Sequence, residues 1–438
     1  VDTDQGVDLQ PFDEYLVHSA PPMSRSSLHV RLRPRANAVG PVAVKITYFL
    51  KDVTAHGGME RVLANKCNAL AEAGHEVHIV SIGSTAGRPT FFAFHPGIRM
   101  WSLDCEHLYR KGLSARLRAR ARRSQFLDAA ARVLAQIGSD IVVSMFDTWS
   151  RHVHAVAGGS ATLLELHFAK HKSAQYLYGL ERIPLLRGLL RLYKHADYAL
   201  IARYDRFVVL TEEDRQAWGA LDNIAVIPNA QSFPNGPRAA LDGTRVLALG
   251  RNTRQKRFDL LVRAWARIAA RHPGSRLHIV GPGDKTGLAR LAARLGVSGS
   301  VALEGATDDV REVLLGGSVL ALSSRYEGFG MVLIEAMTCG VPVVAFDCHS
   351  GPRDIIADGE DGFLVDSGDV TQLAERLDRL LGDAPLRQAM GDAAYRNVQR
   401  FSSAAVMARW QALFDGMLRA RGARPLTPPA APPCPSAE

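Results

Sequence analysis

The sequence predicts an α/β fold in which two doubly wound, parallel-sheet domains face each other across a cleft. Three observations predict it. The chain has 438 residues, more than one hydrophobic core ordinarily serves, so two domains are expected. Short apolar, β-branched runs alternate with stretches of helical spacing, the pattern of strands buried on both faces and covered by helices. That alternation then starts afresh near Tyr204.

Residues 1–40 read as a disordered tail. Its start is acidic (Asp2, Asp4, Asp8, Asp13, Glu14), the rest is basic (Arg25, Arg31, Arg33, Arg35), and prolines punctuate it throughout. Met23 is a more natural start than Val1. The first domain, 41–204, has strands at 42–50, 76–82, 140–146 and 162–168, with a helix at 59–73 that stops at Gly74. The second domain, 205–400, has strands at 206–211, 224–228, 246–250, 277–281, 319–324 and 341–346. Helical patterns at 257–270, 286–295 and 332–337 separate most of them. Residues 401–424 carry a last helix, patterned at 403–418, that crosses back to the first domain, and 425–438 form a Pro/Ala-rich disordered tail. Two domains of this kind leave a cleft between them for a ligand.

Composition narrows the class. Hydrophobic residues make up 47% and charged residues 22%, the profile of a soluble globular chain. A net charge of +9 favours anionic partners. The five cysteines (Cys67, Cys105, Cys339, Cys348, Cys434) are scattered and include no C-x-x-C pair. That excludes a disulfide framework or structural zinc site and implies a reduced compartment. No apolar core suits a signal peptide, and no run approaches the ~20 apolar residues of a membrane span, so the expected location is cytoplasmic.

Glu327-Gly328-Phe329-Gly330 follows an apolar strand and opens a helix. Free N–H groups and the positive end of a helix dipole gather at such a place, which suits a phosphate. Glu335 lies inside that helix among Met331–Ile334 and Met337. Burying its carboxylate unpaired would cost several kcal/mol, so it needs a hydrogen-bond partner, and ribose hydroxyls are a good one. Gly250-Arg251-Asn252-Thr253-Arg254-Gln255-Lys256-Arg257 also follows a strand and precedes a helix. Its four cations can clamp a phosphate, arginine bidentately and lysine as a compact charge. Gly57 and Gly58 open the first helix, and His167 ends the strand at 162–168. Gly281 and Gly305 sit at two further strand-end turns.

Glu327 and Glu335 around E-G-F-G, continued by Gly340-Val341-Pro342-Val343-Val344-Ala345, Gly351-Pro352-Arg353-Asp354 and Asp361-Gly362-Phe363-Leu364-Val365, resemble the donor-site signature of retaining GT-B glycosyltransferases, glycosyltransferase family 4 in particular. The resemblance spans about residues 42–420. It implies a GT-B fold and transfer of a sugar, with retention, from a nucleotide-sugar co-substrate to an acceptor hydroxyl. A UDP-sugar is favoured, with GDP-mannose as the other option. It further implies that Arg251 and Lys256 hold the diphosphate, with Gly57 and Gly58 approaching the phosphate or sugar. Gly281 and Gly305 would bracket the base, and His167 would contact the transferred sugar. Catalytic roles then fall to His167, Lys256 and Glu327. Donor contacts fall to Gly57, Gly58, Arg251, Lys256, Gly281, Gly305, Glu327, Gly328, Phe329, Gly330 and Glu335. No metal or other cofactor is expected, since fixed cations meet the diphosphate and the only D-x-D, Asp2 and Asp4, lies in the tail.

The expected acceptor is a glycan, a lipid-linked sugar or a polyol phosphate, in cell-surface polysaccharide, teichoic-acid or glycolipid assembly. Residues 110–123 hold seven cations and no acid. Residues 170–195 add Lys172, Arg182, Arg187, Arg191 and Lys194 beside an apolar leucine face. They suit peripheral contact with an anionic membrane on the inner face of the cell membrane. Nucleic acid is not an expected partner, because no recognition motif is present. Two rivals are an epimerase of similar fold, which would need acid/base carboxylates in the first-domain half of the cleft, and a non-catalytic nucleotide-sugar-binding subunit, which should lack Lys256 or Glu327.

Overall fold

Two parallel sheets dominate the computed structural model, which describes residues 43–54, 57–83, 88–105, 119–147, 149–170 and 196–422. The first sheet contains β1 (Lys45–Leu50), β2 (Glu76–Ser81), β3 (Arg99–Ser102), β4 (Ile141–Met145), β5 (Ala161–Glu165), β6 (Arg206–Val209) and β7 (Ile224–Val226). Their order is β3-β2-β1-β4-β5-β6-β7, with every pair parallel. The second contains β8 (Arg245–Leu249), β9 (Arg276–Val280), β10 (Val301–Glu304), β11 (Val319–Leu322), β12 (Val343–Asp347) and β13 (Gly362–Asp366). It runs β10-β9-β8-β11-β12-β13, again all parallel.

Alternation explains the burial. In β8, Val246 and Ala248 join one apolar cluster while Leu247 and Leu249 join the other. In β11, Val319 and Ala321 divide from Leu320 and Leu322 in the same way. A strand apolar on both faces needs helices on both faces, which a doubly wound sheet supplies. Each sheet reverses its winding beside its first strand, between β1 and β4 and between β8 and β11. Ligands of such sheets bind at the carboxyl ends of those strands.

One expectation needs correction. Residues 206–209 and 224–226 do not begin the second domain. Leu163 of β5 pairs with Arg206, and β6 pairs with β7, so both strands extend the first sheet. The seam therefore falls after Val226 rather than near Tyr204. Periodicity identifies a strand but not the sheet that receives it.

The last helix, Ser403–Gly422, returns to the first domain. Val406, Trp410, Phe414 and Met417, spaced by four, four and three, enter the cluster that holds Ile46, Tyr48, Leu63 and Cys67. Truncating a buried aromatic of this kind typically costs about 3–5 kcal/mol. Both tails and the basic stretch 171–195 lie outside the described residues, as does most of 110–123. No helix among the described residues is long and apolar enough to cross a membrane.

Candidate active site

The loops that follow β8 and β11 are laced together before any ligand arrives. Gln255 Nε2 donates to Tyr326 O (2.9 Å), Arg325 N to Gln255 O (2.8 Å) and Ser323 Oγ to Lys256 O (2.8 Å). Glu327 N donates to His349 O at 3.0 Å. These bonds set Lys256 Nζ 2.8 Å from Glu327 Oε1, with side chains only 17% and 9% exposed. The direct pairing was not foreseen from the sequence. In a half-buried site each charge supplies the other's missing hydration.

Glu335 lies in the helix Met331–Thr338, which Gly330 caps, and is buried as its neighbours required. Its partners come from outside that helix. Arg61 Nη1, on the first-domain helix Gly58–Glu72, and Ser232 Oγ, on the connection between the domains, both reach Oε1, at 3.4 and 2.5 Å. Among the described residues the amides of Gly328, Phe329 and Gly330 donate to no other backbone group. They stand free at the helix N-terminus, where the dipole adds positive potential.

Across the cleft, His167 follows β5. Its Nε2 is 2.8 Å from Glu165 Oε2, and Lys66 Nζ contacts that same oxygen. Burial pushes the Glu165 carboxyl up, but the Lys66 charge and the His167 hydrogen bond more than offset it, so it lies below the usual carboxylate value. The domains touch at Gly328, where a Cβ would lie 2.6 Å from His167 O and 3.1 Å from Phe168 Cα.

These groups surround one cavity of about 370 Å³, lined by Gly58, His167, Lys256, Glu327, Gly328, Phe329, Gly330 and Glu335, with Leu249, Val310 and Val332 supplying apolar wall. Four expected residues are off its lining. Gly57 precedes it by one residue, as the cap of the first helix. Arg251 is exposed one position past Gly250. Gly281 donates to Gly305 O (2.9 Å). A Cβ on Gly281 would sit 2.2 Å from Gly250 O, so its missing side chain lets two strand ends pack together. Residues that the sequence reading did not assign are Arg61, Ser232, Lys66 and Glu165. Lys66 carried a signal, since it interrupts the apolar stripe of Val62, Leu63, Cys67 and Leu70.

This arrangement can hold an anion between Lys256 and the free amides, and a hydroxylated group at Glu335. Two family models match contiguous parts of the chain: "Glycosyltransferase Family 4" over residues 56–233 and "Glycosyl transferases group 1" over residues 231–397. The chain belongs to glycosyltransferase family 4. The junction of the two family matches lies close to the seam after Val226. An exopolysaccharide phosphotransferase of Streptomyces coelicolor is 30% identical over 412 residues, taking in 86% of this chain but only 41% of that relative's length. An uncharacterized glycosyltransferase of Haemophilus influenzae is 27% identical over 378 residues, 84% of this chain and 99% of the relative. In fold, the chain resembles TarM at a TM-score of 0.70 and 16% identity, covering 86% of this chain and all of that one. The GT-B architecture expected of this family is the one observed.

Proposed function

We propose that this glycosyltransferase moves a sugar from a nucleotide-sugar donor, a UDP-sugar before GDP-mannose, to an acceptor hydroxyl with retention of configuration. The observation that carries the reading is the convergence of Lys256, the free amides of Gly328–Gly330 and Glu335 on one cavity between two sheet switch points. A diphosphate there meets a compact cation and a helix N-terminus, while Glu335 accepts ribose hydroxyls. Lys256 and the amides stabilise the charge that grows on the diphosphate as the sugar leaves, and stabilisation of that kind is usually what lowers such a barrier most. The acceptor then attacks on the face from which the diphosphate departs, with Glu327 and His167 beside the sugar. Fixed cations take the part a metal would otherwise play, so no metal or other cofactor is proposed. UDP as the nucleotide draws support from a TarM structure solved with alpha-GlcNAc-glycerol and UDP. The exopolysaccharide relative favours a glycan or polyol-phosphate acceptor in cell-surface polymer assembly, as does a poly(ribitol-phosphate) alpha-N-acetylglucosaminyltransferase of Staphylococcus aureus, 28% identical over 197 residues, 44% of this chain and 40% of the relative. Peripheral contact with an anionic membrane is proposed through residues 110–123 and 170–195. Incubation with a panel of nucleotide sugars, following slow donor hydrolysis, tests the donor. Turnover of none of them would refute the reading.

A further inference from the structure

We infer that Lys66 and Glu165 act as one positioning unit. They hold the His167 ring neutral with its proton on Nε2, so that Nδ1 is offered as a bare acceptor to a hydroxyl of the transferred sugar. The inference deepens the proposed donor site and rests on it.

The geometry runs inward from the cavity. His167 lines the cavity, and its side chain is 5% exposed. Nε2 is 2.8 Å from Glu165 Oε2. An ionised carboxylate only accepts hydrogen bonds, so Nε2 carries the proton and donates. Nδ1 is buried and has no hydrogen-bond partner among the described residues. A buried polar atom without a partner costs free energy, and one on a residue lining the donor cavity is explained if a ligand hydroxyl completes it.

Glu165 alone would hold the ring in the wrong state. A buried carboxylate beside an imidazole favours the imidazolium, whose Nδ1 donates instead of accepting. Lys66 removes that bias by making the pair neutral. It is itself 5% exposed and tightly seated, with Nζ 5.0 Å from the centre of the Tyr48 ring and 4.4 Å from that of Trp410. Trp410 belongs to the returning C-terminal helix, so the last helix of the chain helps fix a residue of the donor cavity. For stability alone, apolar side chains of like volume serve as well as a buried ion pair. A charged pair with one ligand-facing neighbour is better explained by what it does to that neighbour.

The test uses the full chain, labelled with nitrogen-15, without substrate. The His167 ring signals are identified by their loss in His167→Ala. In the native protein, Nε2 should show the shift of a protonated ring nitrogen and Nδ1 that of a bare one. Lys66→Met should bring the two shifts together as the imidazolium forms at neutral pH. Turnover should fall about 10–100-fold and recover as pH rises, with UDP affinity within about twofold of native. Lys66→Arg should keep the native shifts and most turnover. Because a lone buried charge can prevent folding, the double variant Lys66→Met with Glu165→Gln removes both charges together. It should fold, lose the single tautomer and lose turnover about 10-fold. Native shifts and turnover in a folded double variant would overturn the proposal and leave the pair a packing feature. Native turnover in His167→Ala would instead refute the sugar contact, while the ring shifts would still decide whether the pair sets the tautomer.

Discussion

Gly328 is the point at which a single methyl group should separate binding from chemistry. Its φ is outside the left-handed region, so alanine there brings no backbone strain of its own. The new Cβ would lie 2.6 Å from His167 O. Close C···O contacts settle at about 3.3 Å or more, so the two backbones must part by about 0.7 Å. Lys256, Glu335 and the amides at residues 328–330 belong to one side of the cleft and move together; His167 belongs to the other. A displacement approaching 1 Å between reacting groups can cost about 10²-fold in rate. Gly328→Ala should therefore lower kcat by about 30–100-fold while UDP affinity stays within a few-fold and the melting temperature changes little. Calorimetry with UDP, product formation with the preferred sugar nucleotide and thermal unfolding read the three quantities. Turnover within twofold of native would show that closure on His167 is not needed for transfer.

Other outcomes follow from the same geometry. Lys256→Ala should cut turnover about 10²–10³-fold, more than it weakens donor binding, whereas Glu335→Gln should act on donor affinity, by about 1–3 kcal/mol; the opposite pattern would exchange their roles. EDTA should leave activity unchanged, and loss restored by magnesium or manganese would reveal a metal. Sedimentation with anionic vesicles should fall as salt rises, and equal binding to neutral vesicles would remove the electrostatic account. Asp214 bonds across the seam to Ser350 Oγ (2.9 Å), and burial pushes its carboxyl up to about 6 from 3.8. The folded protein thus holds this proton more tightly than the unfolded chain. The contribution to stability is full below pH 4 and lost as pH rises through 6, roughly 3 kcal/mol in all. The melting temperature of Asp214→Asn should therefore gain on the native value between pH 4 and pH 8, and a constant difference would contradict the assignment.

How much of this was legible in the sequence depends on what a residue's job requires of its neighbours. Glu327, Gly328, Gly330 and Lys256 were legible because each sits near a strand end or helix start that local spacing marks, and Glu335 because it is a lone carboxylate inside an apolar helix. Arg61 as a partner of Glu335 was not, since the contact joins residues 274 positions apart. The packing of Gly281 against Gly250 was not legible either, because a glycine turn looks the same whether it admits a ligand or another strand. The β3 strand, Arg-Met-Trp-Ser, is a short sheet edge with two of its four residues exposed and gives no periodic signal. Lys66 and Glu165 were visible only as polar letters in apolar runs, and nothing local told them to pair.

The return of the Ser403–Gly422 helix has a consequence for biosynthesis. The cluster around β1 is finished by Trp410 and Phe414, which the ribosome adds long after β7 is complete. At roughly 5–20 residues per second the delay is on the order of 10–40 s. Throughout that interval the nascent first domain exposes an apolar seat that only the chain's own distant end can fill. The half made first is therefore the half finished last, and its stability is inherited from a segment that the second domain must deliver.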